Sequence, residues 1–145
     1  MAGATLAEIR AGLATRLDTI PGVNVSAYMM DVPRDLTLQV MGPDQVEYDQ
    51  AGMRGHDNWT FIIQGFSGSP SSQAAQVNLD EWLSPSGANS VKEAVEGDRS
   101  LGGIVEDCVV RTSSGYRRYE VGPDGGAKHS MLGAEWTVLI LNSGT

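Results

Sequence analysis

The stretch that decides the fold, residues 46–110, reads VEYDQAGMRGHDNWTFIIQGFSGSPSSQAAQVNLDEWLSPSGANSVKEAVEGDRSLGGIVEDCVV. A short alternating strand leads through a Gly-rich loop into a strongly apolar strand. A Ser-Pro pair then opens a helix that ends in Trp-Leu, and a second short helix, Leu-Gly-Gly and another strand follow. No catalytic motif interrupts this series of elements. The stretch therefore favours an assembly component over an enzyme.

Length and composition indicate a single folded domain over residues 1–145. Hydrophobic residues make up 41% of the chain and charged residues 19%, which is ordinary for a folded protein. A chain of this length buries about 70% of the surface that it exposes when unfolded. The one cysteine, Cys108, excludes an intramolecular disulfide and lies in an apolar run, so we expect a core residue and synthesis in a reducing cytoplasm.

The N-terminal sequence and the apolar runs predict neither export nor a membrane span. MAGATLAEIR at the N-terminus lacks the basic start and apolar stretch of a signal peptide. The apolar runs are all far shorter than the roughly 20 residues that a membrane helix needs.

A capping box, Thr5 with Glu8, predicts an N-terminal helix from about Leu6 to Asp18, ended by Pro21-Gly22. Its apolar residues recur at helical spacing, and the helix should dock that stripe on a sheet; the stripe consists of Leu6, Ile9, Leu13 and Leu17.

The next segments predict a long β-hairpin. Strands are expected at Val23–Met30 and Leu36–Met41, and after Gly42-Pro43 the alternation resumes at Val46 and Tyr48. The tip Gln50–Gly55 joins this strand to His56–Phe66. Apolar residues lie on both faces of His56–Phe66, which is typical of a central strand.

The remaining elements complete an α+β fold. Ser69-Pro70 predicts the start of a second helix, and Ser90 with Glu93 forms the capping box of a third. We expect a strand at Ile104–Thr112, its hairpin partner at Tyr116–Val121, a flexible loop up to Gly133 and a final strand at Glu135–Leu141. The predicted architecture is a mostly antiparallel sheet with an N-terminal helix and two further helices packed on it.

The candidate chemical groups do not combine into a site. His56 and His129 lack a second ligand at metal-binding spacing, and no Gly-x-Ser-x-Gly element presents a nucleophile. Asp44, Glu47 and Asp49 resemble a calcium loop, but its glycine and final glutamate are missing. The tryptophans lie in apolar periodic runs and are assigned to the core. We therefore predict a protein that is not an enzyme, with no metal and no cofactor.

The charge is uneven along the chain. The formal net charge is -8, which disfavours nucleic-acid binding by the molecule as a whole. Residues 57–107 hold eight acidic and two basic residues, whereas residues 108–145 hold four basic and three acidic ones. Such a distribution suits head-to-tail contact between identical subunits, and a solvated surface without a partner is the alternative.

The order of elements resembles that of a known family. The likeness rests on Leu6–Leu17 with Ile20-Pro21-Gly22-Val23, on Val46-Glu47-Tyr48-Asp49, on Asp57-Asn58-Trp59-Thr60-Phe61, and on Ser90-Val91 through Leu101-Gly102-Gly103. With these features the chain resembles the tail terminator (tail completion, or neck) proteins of long-tailed bacteriophages, especially those of actinobacterial hosts.

The resemblance implies a structural protein of the virion at the tail–head junction, made in the host cytoplasm. It would form a homo-oligomeric ring, typically of six copies, that caps the tail tube, stops its polymerisation and joins the tail to the head. Its partners would be other copies of itself, the tail tube protein and a head-completion or connector protein. DNA would pass through the lumen without specific binding, and no membrane would be involved.

Loops on a rigid scaffold usually carry recognition, so the contacts are predicted at the hairpin tip and in the later basic segment. The predicted contact residues are Tyr48, Asp49, Met53, Arg54, Arg117, Arg118 and Tyr119.

Three alternatives remain open from the sequence. The first is another neck or tube component, either a head-closure or a tail-tube protein. The second, from a different class, is a small hydrolase or ligand-binding domain that uses His56, Asp57 and a serine. The third is a soluble α+β domain of unrelated function.

Overall fold

The computed structural model describes residues 4–29, 33–48, 56–122 and 125–143, and it confirms the α+β class. Within these ranges the chain forms three helices and six strands. In chain order they are α1 (Leu6–Leu17), β1 (Asn24–Ser26), β2 (Thr37–Glu47), β3 (His56–Gly68), α2 (Gln73–Leu83), α3 (Val91–Glu96), β4 (Asp107–Ser113), β5 (Arg117–Val121) and β6 (His129–Ser143). None of the described helices is long and apolar enough to cross a membrane.

The six strands form one sheet in the order β1-β2-β3-β6-β4, and β5 also pairs with β6. β1 runs parallel to β2, and every other pair is antiparallel, so the predicted mostly antiparallel sheet is confirmed. β6, the last of these strands in the chain, lies in the middle of the sheet and pairs with β3, β4 and β5.

One face of the sheet holds the hydrophobic core. On this face the pairs between β3 and β6 are Trp59 with Ile140, Phe61 with Val138, and Ile63 with Trp136. All three helices cover the face with buried side chains of the same cluster, namely Ile9, Leu13, Leu17, Leu79, Trp82, Val91, Ala94 and Val95. The three tryptophans are buried in this cluster, as predicted.

Cys108 also belongs to the core, as predicted, and its residue is completely buried. Burial, and to a lesser extent the neighbouring Asp107 and Glu96 carboxylates, raises the pKa of its thiol to about 12. The thiol therefore stays protonated at neutral pH and acts as a small apolar group.

The N-terminal capping box forms as predicted. The Glu8 N–H donates to Thr5 Oγ1 at 3.2 Å, and the Thr5 N–H donates to Glu8 Oε1 at 3.0 Å. Leu6 differs from the prediction, because it lies in the first turn at the free end of α1 and is 41% exposed. The buried stripe of the helix begins at Ile9.

The second helix starts later than the Ser69-Pro70 pair predicts. The N-cap of α2 is Ser72, whose Oγ accepts a hydrogen bond from the Ala75 N–H at 3.2 Å. Pro70 lies instead in a preceding turn, closed by the bond from Ser72 N–H to the Ser69 carbonyl at 3.0 Å. The fixed φ of proline suits the second position of such a turn as well as it suits a first helical turn.

Only half of the capping box predicted for the third helix forms. Ser90 Oγ accepts from the Glu93 N–H at 3.1 Å, as expected. The Glu93 carboxylate, however, accepts from the Gly87 N–H, because the Ser90 N–H already donates to the Gly87 carbonyl at 3.1 Å.

β2 is one strand, although Gly42-Pro43 predicted a break within it. Two β-bulges, between Val40 and Gly42 and between Pro43 and Gln45, accommodate the proline and let the pairing with β3 continue. β1 is shorter than predicted, since it pairs only with the three residues at the start of β2. The predicted tip Gln50–Gly55 lies outside the described residues.

The predicted hairpin between Ile104–Thr112 and Tyr116–Val121 is wrong. β4 and β5 do not pair with each other; both pair with β6, one after the other, and run in the same direction. They form a single interrupted edge, in which the Ser114 N–H bonds to the Glu135 carbonyl at 2.8 Å. β6 starts at His129 rather than near Gly133, so the loop after β5 is shorter than expected.

Replacement of Gly65 by alanine should destabilise the protein through overpacking. A Cβ at this position would lie 2.8 Å from Leu38 Cδ2 and 3.0 Å from the rings of Trp136 and Trp82. We expect Gly65→Ala to lower the free energy of unfolding by about 1–3 kcal/mol in urea denaturation. The cost should be smaller in a Leu38→Ala background, where the nearest atom is absent; an equal cost in both backgrounds would contradict the steric explanation.

Candidate assembly interface

The first predicted contact segment begins at the end of β2. Tyr48, the residue after that strand, has 70% of its surface exposed, an unusually large fraction for an aromatic side chain. Asp49, Met53 and Arg54 lie outside the described residues, so the contacts predicted for them stay predictions.

The second predicted segment is β5. Arg117 and Arg118 are exposed on this strand, which pairs with the start of β6. Tyr119 is only partly exposed: its ring meets Phe66 edge-on, with 5.2 Å between centroids, and its hydroxyl donates to Glu135 Oε2 at 2.7 Å. The side chain of Tyr119 therefore anchors β5 to the sheet, and a contact with a partner stays a prediction.

Tyr119 belongs to a chain of hydrogen bonds that crosses the sheet face opposite the helices. Gln39 Nε2 donates to Gln64 Oε1 at 2.8 Å, the Gln64 side chain bonds to the Tyr119 hydroxyl, and Tyr119 donates to Glu135. Burial, followed by the bond to Glu135, raises the pKa of Tyr119 well above its ordinary value. The chain links β2, β3, β5 and β6, and nothing in the sequence pattern distinguishes these residues from solvated strand positions.

The remainder of that face carries apolar side chains that no described helix covers. They are each partly exposed and comprise Met41, Ile62, Val109, Leu139 and Leu141. A groove of about 210 Å³ lies beside them, between β2, β3 and β5, and is lined in part by Gln39, Gln64, Phe66 and Tyr119.

The two predicted contact segments do not form one site. The end of β2 lies level with Leu141 of β6, because Glu47 pairs with Asn58 of β3 and Asn58 pairs with Leu141. The start of β5 lies level with Gly133 of β6, because Arg117 pairs with that residue. Eight residues of β6 and three strand spacings therefore separate the end of β2 from β5, a distance of roughly 30 Å. The segments occupy opposite corners of the sheet.

The outer edge of β4 is closed by α3. Glu96 Oε2 accepts from the Val110 N–H at 2.9 Å and from Lys92 Nζ at 2.6 Å. Burial acts to raise the pKa of Glu96, but the bonds from Lys92 and Val110 together hold it below its ordinary value. The carboxylate thus occupies an edge N–H group that another strand would otherwise pair with.

The two candidate histidines are not brought together. His129 and His56 mark opposite ends of the central strands, because His56 pairs with Ser143 at the far end of β6, roughly 45 Å from His129. His129 is exposed, and the side chain of His56 lies outside the described residues. Within the described ranges, no three side chains of His, Cys, Asp or Glu could jointly hold a metal ion.

Comparison with known proteins adds no relative: no family model matches the chain, and no curated protein matches it.

Replacement of Glu96 by glutamine should destabilise the protein in a pH-dependent way. The folded-state pKa of Glu96 lies below its ordinary value of 4.5, so the carboxylate stabilises the fold above that pH and loses this effect as the pH falls through the folded-state pKa. We expect Glu96→Gln to cost about 1 kcal/mol at pH 7 and progressively less below pH 4.5. Urea denaturation at a series of pH values measures the difference, and Glu47→Gln, at an exposed strand position, is the control.

Proposed function

We propose that this protein is the tail terminator of a long-tailed bacteriophage. It acts as a structural protein that closes into a ring of identical subunits, caps the tail tube, stops its polymerisation and joins the tail to the head. The proposal rests on the resemblance carried by residues 6–17, 20–23, 46–49, 57–61 and 90–103, and on the geometry of the folded subunit.

The observation that supports an assembly role best is the separation of the two predicted contact segments. An active site needs its groups to converge, whereas a ring subunit needs several surfaces that face different neighbours at the same time. Tyr48, next to the end of β2, and Arg117 on β5 lie at opposite corners of the sheet, where each can contact a different partner.

The proposed mechanism is steric and needs no turnover. One surface of the ring matches the last ring of the tube, and the other surface differs from it, so a further tube subunit finds no complementary partner. The net charge of -8 would also let DNA pass through the ring without binding to it, because the acidic protein and the DNA phosphates repel each other. A ring structure with a basic lumen would contradict this part of the proposal.

The mass of the assembled species is the direct test. Light scattering and native mass spectrometry on the purified protein, alone and with tail tube protein, should show a closed ring in at least one condition and no long polymer. A long polymer of this protein alone would point to a tube component instead. A protein that stays monomeric and does not bind tube protein would remove the support for the assembly role.

Reversal of the two exposed charges on β5 should weaken the assembly. Arg117→Glu with Arg118→Glu replaces two cations by anions in a molecule that is already acidic, so we expect about tenfold weaker ring formation or tube binding. The same mass measurement reads the effect, after circular dichroism has shown that the variant is folded. Unchanged assembly would exclude these two residues from the interface.

A further inference from the structure

The edge formed by β4 and β5 carries unpaired positive charge. Arg111, Arg117 and Arg118 are exposed, and none of them forms a salt bridge with a described residue. Of the acids on these two strands, Asp107 is neutralised by Arg99 through two hydrogen bonds of 2.7 Å, whereas Glu120 accepts from the Ser130 hydroxyl and keeps its charge.

The opposite edge of the sheet carries unpaired negative charge. β1 flanks only the first three residues of β2, and beyond Gln39 no described strand covers the outer side of β2. Asp44 and Glu47 lie on this open part of the strand, both are exposed, and neither forms a salt bridge with a described residue.

The register of the sheet places the two charges at similar heights. Val110 stands opposite Val138, Val138 opposite Phe61, and Phe61 opposite Pro43. β2 and β4 run in opposite directions, so Asp44, which follows Pro43, and Arg111, which follows Val110, lie on either side of this level. They are at most about two residue spacings, roughly 7 Å, apart along the strands, at opposite edges of the sheet. Moving one copy sideways by the width of the sheet would bring its Arg111 near the Asp44 of the next copy.

We propose that copies of this chain associate head-to-tail, with the edge around Arg111 of one copy against the edge around Asp44 of the next. The inference deepens the proposed function and rests on it, because a contact between two different edges is heterologous and builds a closed ring or an open filament. The net charge of -8 makes other approaches of two copies repulsive, so this orientation is selected electrostatically.

The contact is made by side chains rather than by an added strand. The outer edge of β2 has two bulges and Pro43, and its Val40 carbonyl already accepts from Arg10 Nη1 at 3.1 Å. On the other edge, Glu96 occupies the Val110 N–H. Bulges, proline and occupied backbone groups prevent β2 of one copy from pairing with β4 of another. The two edges would therefore recognise each other through the complementary charges of their side chains.

A charge swap tests the contact. Arg111→Glu and Asp44→Arg should each weaken ring formation about tenfold, and the double variant should recover most of the loss, because it restores an opposite-charge pair in reverse orientation. Native mass spectrometry would be run in the condition in which the wild-type protein forms its ring, with or without tail tube protein. Arg34→Glu and Asp18→Arg make the same charge changes at other exposed positions and should leave ring formation unchanged.

The outcomes separate the contact from the function. Rings that form equally well in all variants, or a double variant no better than either single one, would overturn the contact and leave the terminator role standing. Wild-type protein that neither closes into a ring nor binds tube protein would overturn both. If instead Arg111→Glu abolishes binding to a short DNA duplex and leaves self-association intact, the basic edge binds polyanions and the proposed contact is wrong.

Discussion

Burial of one sheet face beneath three helices is the constraint on which the other features depend. The core-facing pairs of β3 and β6 are almost completely enclosed, with Phe61 and Val138 at 0% exposure. Leu38, Trp82 and Trp136 fit so closely around Gly65 that no side chain has room there. Since the three described helices all pack on this side, the opposite face of the sheet remains available to other molecules, whereas Glu96 of α3 occupies part of the outer edge of β4.

On the opposite face, hydrogen bonds between polar side chains link neighbouring strands. The hydrogen bonds from Gln39 through Gln64 and Tyr119 to Glu135 satisfy side chains that would be costly to bury unpaired. Two buried groups, Thr37 Oγ1 and Trp59 Nε1, have no partner within the described structure. A slip of one residue between β2 and β3 would break the polar chain, so this chain helps to fix the register of the sheet.

The elements that the sequence predicted correctly are those determined by local patterns. The apolar spacing of Ile9, Leu13 and Leu17 and the Thr5 cap are local, and α1 forms as they indicate. The start of α2 was misplaced because Ser69, Ser71 and Ser72 offer similar caps, of which the structure uses Ser72. The supposed hairpin at residues 113–115 failed for a non-local reason: β6 is long enough to pair with both segments.

The candidate interface was only partly predictable for the same reason. The exposure of Arg117 and Arg118 follows from local composition. The neutralisation of Asp107 by Arg99 is a contact within the folded structure, and the similar height of Arg111 and Asp44 depends on pairing across four strands. Periodicity within one segment carries no information about such pairings.

The central position of β6 has a consequence for synthesis. β3 and β4 are synthesised before the strand that joins them, so the inner edge of each stays unpaired until β6 is complete. Contacts between strands this distant in sequence form slowly and late. We therefore expect the partly folded chain to expose the inner edges of β3 and β4 until β6 inserts between them.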